Sequence, residues 1–248
     1  MRGNSERRAA LGCEHLEGRD CPAIFVFGGF MTIIGTGAAD TVDVTDDGTG
    51  SVTATLNGKT RTATGIKAVT VLTFGGDDSI TYTLSGDESG RRAVFVDAGS
   101  GNDTVTLEAG NVTGQFAFVA HGGSGTDTLS ATVGGVAMNA TAAVLLDGGS
   151  NDDMVSATAS GKIDGALAVG LAGGFGNDTV SGDVTVDAGS TGRLLAVTSG
   201  GFGDDDLTLN VTGDGLDGLK SLIAVMNGGP GTDTGTATDN VRKISIEA

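Results

Sequence analysis

The chain has 248 residues, of which 45 are glycine and only 2 proline, with two cysteines, one tyrosine and no tryptophan. Glycine without a strict every-third-residue period, and with so little proline, excludes collagen and proline-rich linkers. A formal net charge of -17 and a pI near 4.2 exclude a face built for nucleic acid phosphates or anionic lipid, and favour cations as partners.

In chain order, residues 1–22 read as a leader or flexible N-terminal segment. Arg2, Arg7 and Arg8 are followed by no apolar core of signal-peptide length before Pro22, and "AIFVFGGF" is too short to cross a bilayer. Cys13 and Cys21 both precede the body of the chain, so they can bridge one short loop but build no disulfide framework. A zinc site on Cys13, His15 and Cys21 lacks a fourth ligand at the usual spacing. The stretch "LEGRDCPA", Leu16 to Ala23, resembles the Leu-Glu-x-Arg-x-x-Pro leaders of exported planctomycete proteins.

Residues 23–68 read as an N-terminal strand and a β-hairpin cap. In "SVTATLNGKTRTAT" the pair Asn57-Gly58 separates two alternating runs, which is the signature of a two-residue hairpin turn. Solenoid ends need such covers.

From residue 69 to 248 the chain repeats. Glycine-rich loops end on Asp40, Asp78, Asp103, Asp127, Asp153, Asp178, Asp205 and Asp233, at successive intervals of 38, 25, 24, 26, 25, 27 and 28 residues. After each aspartate an alternating run begins, such as "DTVTLEA" and "DDLTLNV". Two residues past the aspartate stand Ile80, Val105, Leu129, Val155, Val180 and Leu207, with Gly235 last, which predicts an inward ladder backed by a Thr/Ser-rich outer face. A second strand, such as "TAAVLLDGG", enters each loop and is apolar on both faces. Two strands in about 25 residues cannot bury their apolar sides alone, whereas stacked coils can. The expected fold is therefore all-β: a single parallel β-solenoid, β-roll or β-helix-like, of about seven to eight coils, closed by "NVRKISIEA" with Arg242, Lys243 and Glu247.

Stacking these loops puts aspartates about 5 Å apart, where at an effective dielectric of about 20 unit charges repel by roughly 3 kcal/mol. Carboxylates beside glycine loops with exposed carbonyls form the all-oxygen set that a hard divalent cation prefers. The alternative is a metal-free solenoid whose aspartates bond backbone N–H groups. It explains less readily the extra acids Asp77, Asp97, Asp147, Asp152, Asp204 and Asp206, which are either outer ligands or solubilising charge.

The loops "GGSGTD", "GGFGND", "GGFGDD" and "GGPGTD" resemble the Gly-Gly-x-Gly-x-Asp motif of RTX, or hemolysin-type, calcium-binding repeats. The resemblance implies a secreted bacterial protein whose cofactor is Ca2+, held between turns by loop aspartates and loop carbonyls. Carried over residue by residue, the aspartate ligands are Asp127, Asp178, Asp205 and Asp233, followed by Asp103, Asp153 and Asp78. The glycines of those loops are Gly99, Gly101, Gly123, Gly125, Gly149, Gly174, Gly176, Gly201, Gly203, Gly229 and Gly231. Asp40 lacks the paired glycines. The family's tandem spacing is about nine residues, with loops on both edges. Here one loop falls in each coil, so metal is expected on one edge only.

No catalytic constellation emerges. Without tryptophan, and with Tyr82 the only tyrosine, a sugar platform is difficult to build, and His121 takes a position held by Asp97 and Asp147 in neighbouring repeats. The expected function is non-enzymatic: a structural or adhesive module at a bacterial cell surface or matrix, folded by extracellular calcium, with neither nucleic acid binding nor membrane insertion. A partner-binding alternative has two candidate surfaces. One is an apolar stripe (Ala93, Phe95, Ala117, Val119, Ala143, Leu145, Ala168, Leu195, Val197, Ile223, Val225) that is either core or, if outward, an interface for self-association. The other is the Thr/Ser ladder, whose Thr-x-Thr pairs resemble the ice-binding faces of some calcium-stabilised solenoids.

Overall fold

The computed structural model describes residues 22–87 and 90–246. Cys13, His15, Cys21, most of the "LEGRDCPA" stretch and Glu247 lie outside them.

The N-terminal part opens with an antiparallel hairpin, β1 (Ala23–Phe27) and β2 (Phe30–Ile34). Its turn is Gly28-Gly29, both at positive φ (61° and 85°), where residues with a Cβ are strained. A meander follows: β3 (Thr41–Asp46), β4 (Val52–Leu56) and β5 (Lys59–Ala63), all antiparallel. Asn57 and Gly58 join the last two with φ of 49° and 78°, the left-handed pair that the Asn-Gly signature calls for.

With β6 (Ala68–Leu72) the chain begins to wind. Successive coils contribute β7 (Ser79–Leu84), β8 (Arg91–Ser100), β9 (Thr104–Ala109), β10 (Gln115–Ser124), β11 (Thr128–Val133) and β12 (Thr141–Ser150). They continue with β13 (Met154–Gly161), β14 (Ala166–Phe175), β15 (Thr179–Val186), β16 (Arg193–Phe202) and β17 (Asp206–Thr212). A 3-10 turn at Leu216–Gly218 leads to β18 (Ser221–Asn227), β19 (Thr234–Ala237) and β20 (Arg242–Ile244). From β6 onward, even-numbered strands extend one sheet and odd-numbered strands the other, every neighbour parallel and in register. The fold is a parallel β-solenoid, as the repeat predicts.

Its regular part has about six turns rather than seven to eight, because the first loop belongs to the β2–β3 cap and the last coil ends in the short β19 and β20. The closing strand is only Arg242–Ile244, paired with β18. The β1–β2 hairpin was read from the sequence as a single strand; the apolar character of both arms hid the turn between them.

The core lies between the sheets. Val94, Phe118 and Val144 stack across one side, and Val105, Leu129 and Val155 across the other, all buried. The irregular edge is sealed by bridges joining Val112, Val136 and Ile163. Two inward strand positions hold a charged pair: Arg92, in register with Phe116, is buried with Asp46 of β3, beside Tyr82. Its Nε and Nη2 donate to the Asp46 carboxylate, its Nη1 to the carbonyl of Ile66, and the Tyr82 hydroxyl donates to Asp46 as well. This cluster ties β3, in the cap, to the first full coils. Burial and the Asp46 charge push the Tyr82 hydroxyl far above its ordinary pKa, so it stays a donor.

The stripe from Ala93 to Val225 faces outward. Leu145 and Ile223 are about half exposed, at 48% and 52%, so this stripe is surface rather than core.

Candidate functional site

Each loop turns the chain from one sheet into the other, and the loop aspartate is the last residue before the second strand. All eight aspartates, from Asp40 to Asp233, are buried, with 0–3% of their surface exposed. Parallel register explains their alignment: with Thr104 opposite Thr128 and Thr128 opposite Met154, the residues just before them stack as well.

The column is joined by hydrogen bonds that all run one way. The backbone N–H of Asp40 donates to Asp78 Oδ1, that of Asp78 to Asp103, and so on through Asp127, Asp153, Asp178 and Asp205 to Asp233, at 2.7–3.0 Å. A second ladder, one residue earlier in each loop, runs the opposite way. Asn102 N–H donates to Asp77 Oδ1, Thr126 to Asn102, Asn177 to Asp152, Asp204 to Asn177 and Thr232 to Asp204, at 2.8–2.9 Å. Asp77, Asp152 and Asp204 are therefore coil-to-coil staples, a role that the Asp/Asn recurrence just before the buried aspartate could have revealed.

The glycines divide into two kinds. A Cβ on the first glycine of a pair would meet the loop's own carboxylate: 2.4 Å from Asp127 Oδ2 at Gly122, 2.5 Å from Asp153 Oδ2 at Gly148, 2.3 Å from Asp178 Oδ2 at Gly173. At Gly122 and Gly148 a carbonyl of the next coil, from Gly148 and Gly173, converges on the same point at 2.6 and 2.7 Å. The glycines carried over as metal-loop residues behave differently. Gly99, Gly101, Gly123, Gly125, Gly149, Gly174, Gly176, Gly201, Gly203, Gly229 and Gly231 all have positive φ. Their bare Cα atoms lie against the preceding coil, as where a Cβ on Gly123 would sit 2.0 Å from the Gly99 carbonyl. They set the coil spacing.

In the loops from Asp78 to Asp205 one oxygen is left over. The Oδ2 atoms of Asp78, Asp103, Asp127, Asp153, Asp178 and Asp205 are buried and accept no hydrogen bond. Burial, reinforced by neighbouring carboxylates, pushes Asp78, Asp103 and Asp178 up to about 6 and Asp153 to about 7. Asp127 and Asp205 are raised by burial as well. A buried carboxyl oxygen without a donor calls for a proton or a cation, so the donor set fits an oxygen-preferring ion. Among the described residues no three His, Cys, Asp or Glu side chains gather at one point, and any ion would draw on carboxylates from successive coils together with backbone carbonyls.

Asp40 ends the column differently. Its Oδ2 accepts the Thr36 N–H at 2.6 Å and its Oδ1 the Asn57 side-chain amide, so the hairpin turn closes the ladder with protein donors. His121 lies on β10 in register with Asp97 and Asp147, its Nδ1 3.3 Å from Asp147 Oδ2 on the outer face. Among the described residues no helix is long and apolar enough to cross a membrane. The chain matches no protein-family model, no curated protein and no solved structure.

Proposed function

We propose that this chain is a calcium-binding structural rod, non-enzymatic, folded by extracellular calcium and serving a structural or adhesive role at a bacterial surface or matrix. The observation that carries the reading is the row of buried Oδ2 atoms that no protein donor satisfies, repeated in successive coils. Above about pH 7 Asp78, Asp103, Asp153 and Asp178, raised to about 6 to 7, lose their protons, and the column then holds adjacent buried negative charges. Bound calcium supplies the missing counter-charge and takes only oxygen ligands.

The chain's own residues prepare for it. Asp78, Asp103, Asp127, Asp153, Asp178, Asp205 and Asp233 each spend one oxygen on the neighbouring coil's N–H, and the Oδ2 atoms of Asp127, Asp153, Asp178 and Asp205 lie beside the first glycine of their own loops, Gly122, Gly148, Gly173 and Gly200. Linkage then couples folding to calcium: where calcium is scarce the repulsive column opposes the stacked state, and where it is plentiful binding stabilises that state. The acidic composition of the whole chain favours the same partner.

Isothermal titration of the purified chain above about pH 7 tests the proposal. Saturable binding of several calcium ions per chain, with proton release, is expected. No binding heat at millimolar calcium would overturn it.

A further inference from the structure

The two sheets have the same number of strands and opposite outer surfaces. The odd-strand sheet presents Thr and Ser with exposed Glu108, Asp183 and Asp206 among them, a face suited to water. The even-strand sheet presents four outward columns. Its first column includes Arg91, Thr141 and Arg193, and its fourth Asp97, His121 and Asp147. Between them, the second column is small (Ala93, Ala117, Ala143, Ala168) before ending in Leu195 and Ile223, and the third is large at Phe95, Val119, Leu145 and Val197. On a chain of net charge -17 the first and fourth columns set Arg91 and Arg193 against Asp97 and Asp147, and Arg242 adds a third cation at the end of the third column.

We propose that this face is an interface between two copies of the chain, packed side by side with their rods parallel about a two-fold axis that runs along the rod. That rotation sets the first column against the fourth and the second against the third, coil opposite coil. Arg91 then meets Asp97 of the second copy and Thr141 meets Asp147, while Arg193 meets only Ser199. Small meets large in the middle: Ala93 faces Phe95 and Ala143 faces Leu145. At Gly170 the third column leaves a hollow of about 350 Å³ between Leu145 and Val197, which faces Ala168 of the second copy, with that copy's Leu195 one coil along at its edge. An axis across the rod would leave neither Arg91 nor Asp97 facing an opposite charge. The eight strands from β2 to β18 span about 34 Å at about 4.8 Å each, and the four columns about 20 Å along the strand. About 700 Å² of each copy is thus available, which falls within the size of a specific interface.

The test is sedimentation of the full chain in calcium across the micromolar range, with circular dichroism read on the same samples. The wild type is expected to be a dimer, and Leu145→Asp with Leu195→Asp a monomer of unchanged sheet signal. Asp97→Arg alone places two arginines together and weakens dimerisation about tenfold or more, and adding Arg91→Asp restores it. A wild type that remains a monomer with its sheet signal intact would overturn the interface, even if it captured lipid vesicles or an apolar dye instead. Failure of the charge reversal to restore the dimer would overturn the parallel two-fold arrangement. The inference does not rest on the calcium reading, because loss of the dimer and loss of the fold are read separately.

Discussion

The two oxygens of the loop aspartates from Asp78 to Asp205 do different work, one accepting a neighbouring N–H and the other left without a donor. In Asp153→Asn the amide oxygen can still accept the Asp127 N–H, while the amide nitrogen replaces the oxygen that lacks a donor. Without calcium and above about pH 7 this variant is expected to be more stable than wild type, and to bind calcium less, which melting and titration in parallel will read. Asp153→Ala instead strands a buried N–H and should cost about 1–3 kcal/mol in either condition. The first glycine of each pair is equally specific. Gly148→Ala puts a Cβ 2.5 Å from Asp153 Oδ2 and 2.7 Å from the Gly173 carbonyl, so a loss of several degrees in Tm is expected, whereas Gly110→Ala, with nothing within 4 Å, should change little. Equal melting temperatures for the two alanine variants would contradict the packing described.

Among the elements, the cap continues both sheets of the rod through the β2–β6 and β3–β7 pairings, and two side-chain contacts fix it there. The Asn57 side chain accepts the Thr41 N–H at 2.8 Å and donates to Asp40, so it is both the turn residue of a hairpin and the lid of the carboxylate column. The buried Arg92–Asp46 pair is the other joint, and removing one partner leaves a buried charge without its counter-ion. Asp46→Ala should therefore destabilise by roughly 3–5 kcal/mol, measurable by denaturant unfolding, while a loss below about 1 kcal/mol would place that joint at the margin of stability. The Asn57-Gly58 turn was legible in the sequence because its chemistry is local. Its contact with Asp40, and the pairing of Asp46 with an arginine 46 residues away, were not legible, because strand pairing across the cap creates them. Gly28-Gly29 could have been read as a turn from two adjacent glycines between apolar runs.

For the whole molecule, the period of the aspartates revealed the solenoid and its aspartate column, though not the column's burial, since a stacked fold repeats in space what the chain repeats in sequence. It did not reveal which apolar column faces outward: "TAAVLLDGG" is apolar at every early position, and alternation alone leaves open whether a second layer covers it. Nor did it separate the glycines that admit a carboxylate from those that set coil spacing. The collective consequence is a dependence on pH. Because the folded carboxyls are raised above the ordinary value of 3.8, the stacked state binds more protons than the unfolded chain. Its stability without calcium is greatest below about pH 4 in respect of these groups and is lost as pH rises through about 6 to 7. Calcium, standing where protons otherwise would, should flatten that fall.

Thermal unfolding followed by circular dichroism above about pH 7, in millimolar calcium and in excess chelator, reads whether calcium holds the stacked coils together. A melting temperature at least about 10 °C higher in calcium, or a chelated chain without sheet signal, is the expected result. Coincident melting curves in the two solutions would contradict it, and would leave the aspartate column as a set of backbone caps alone.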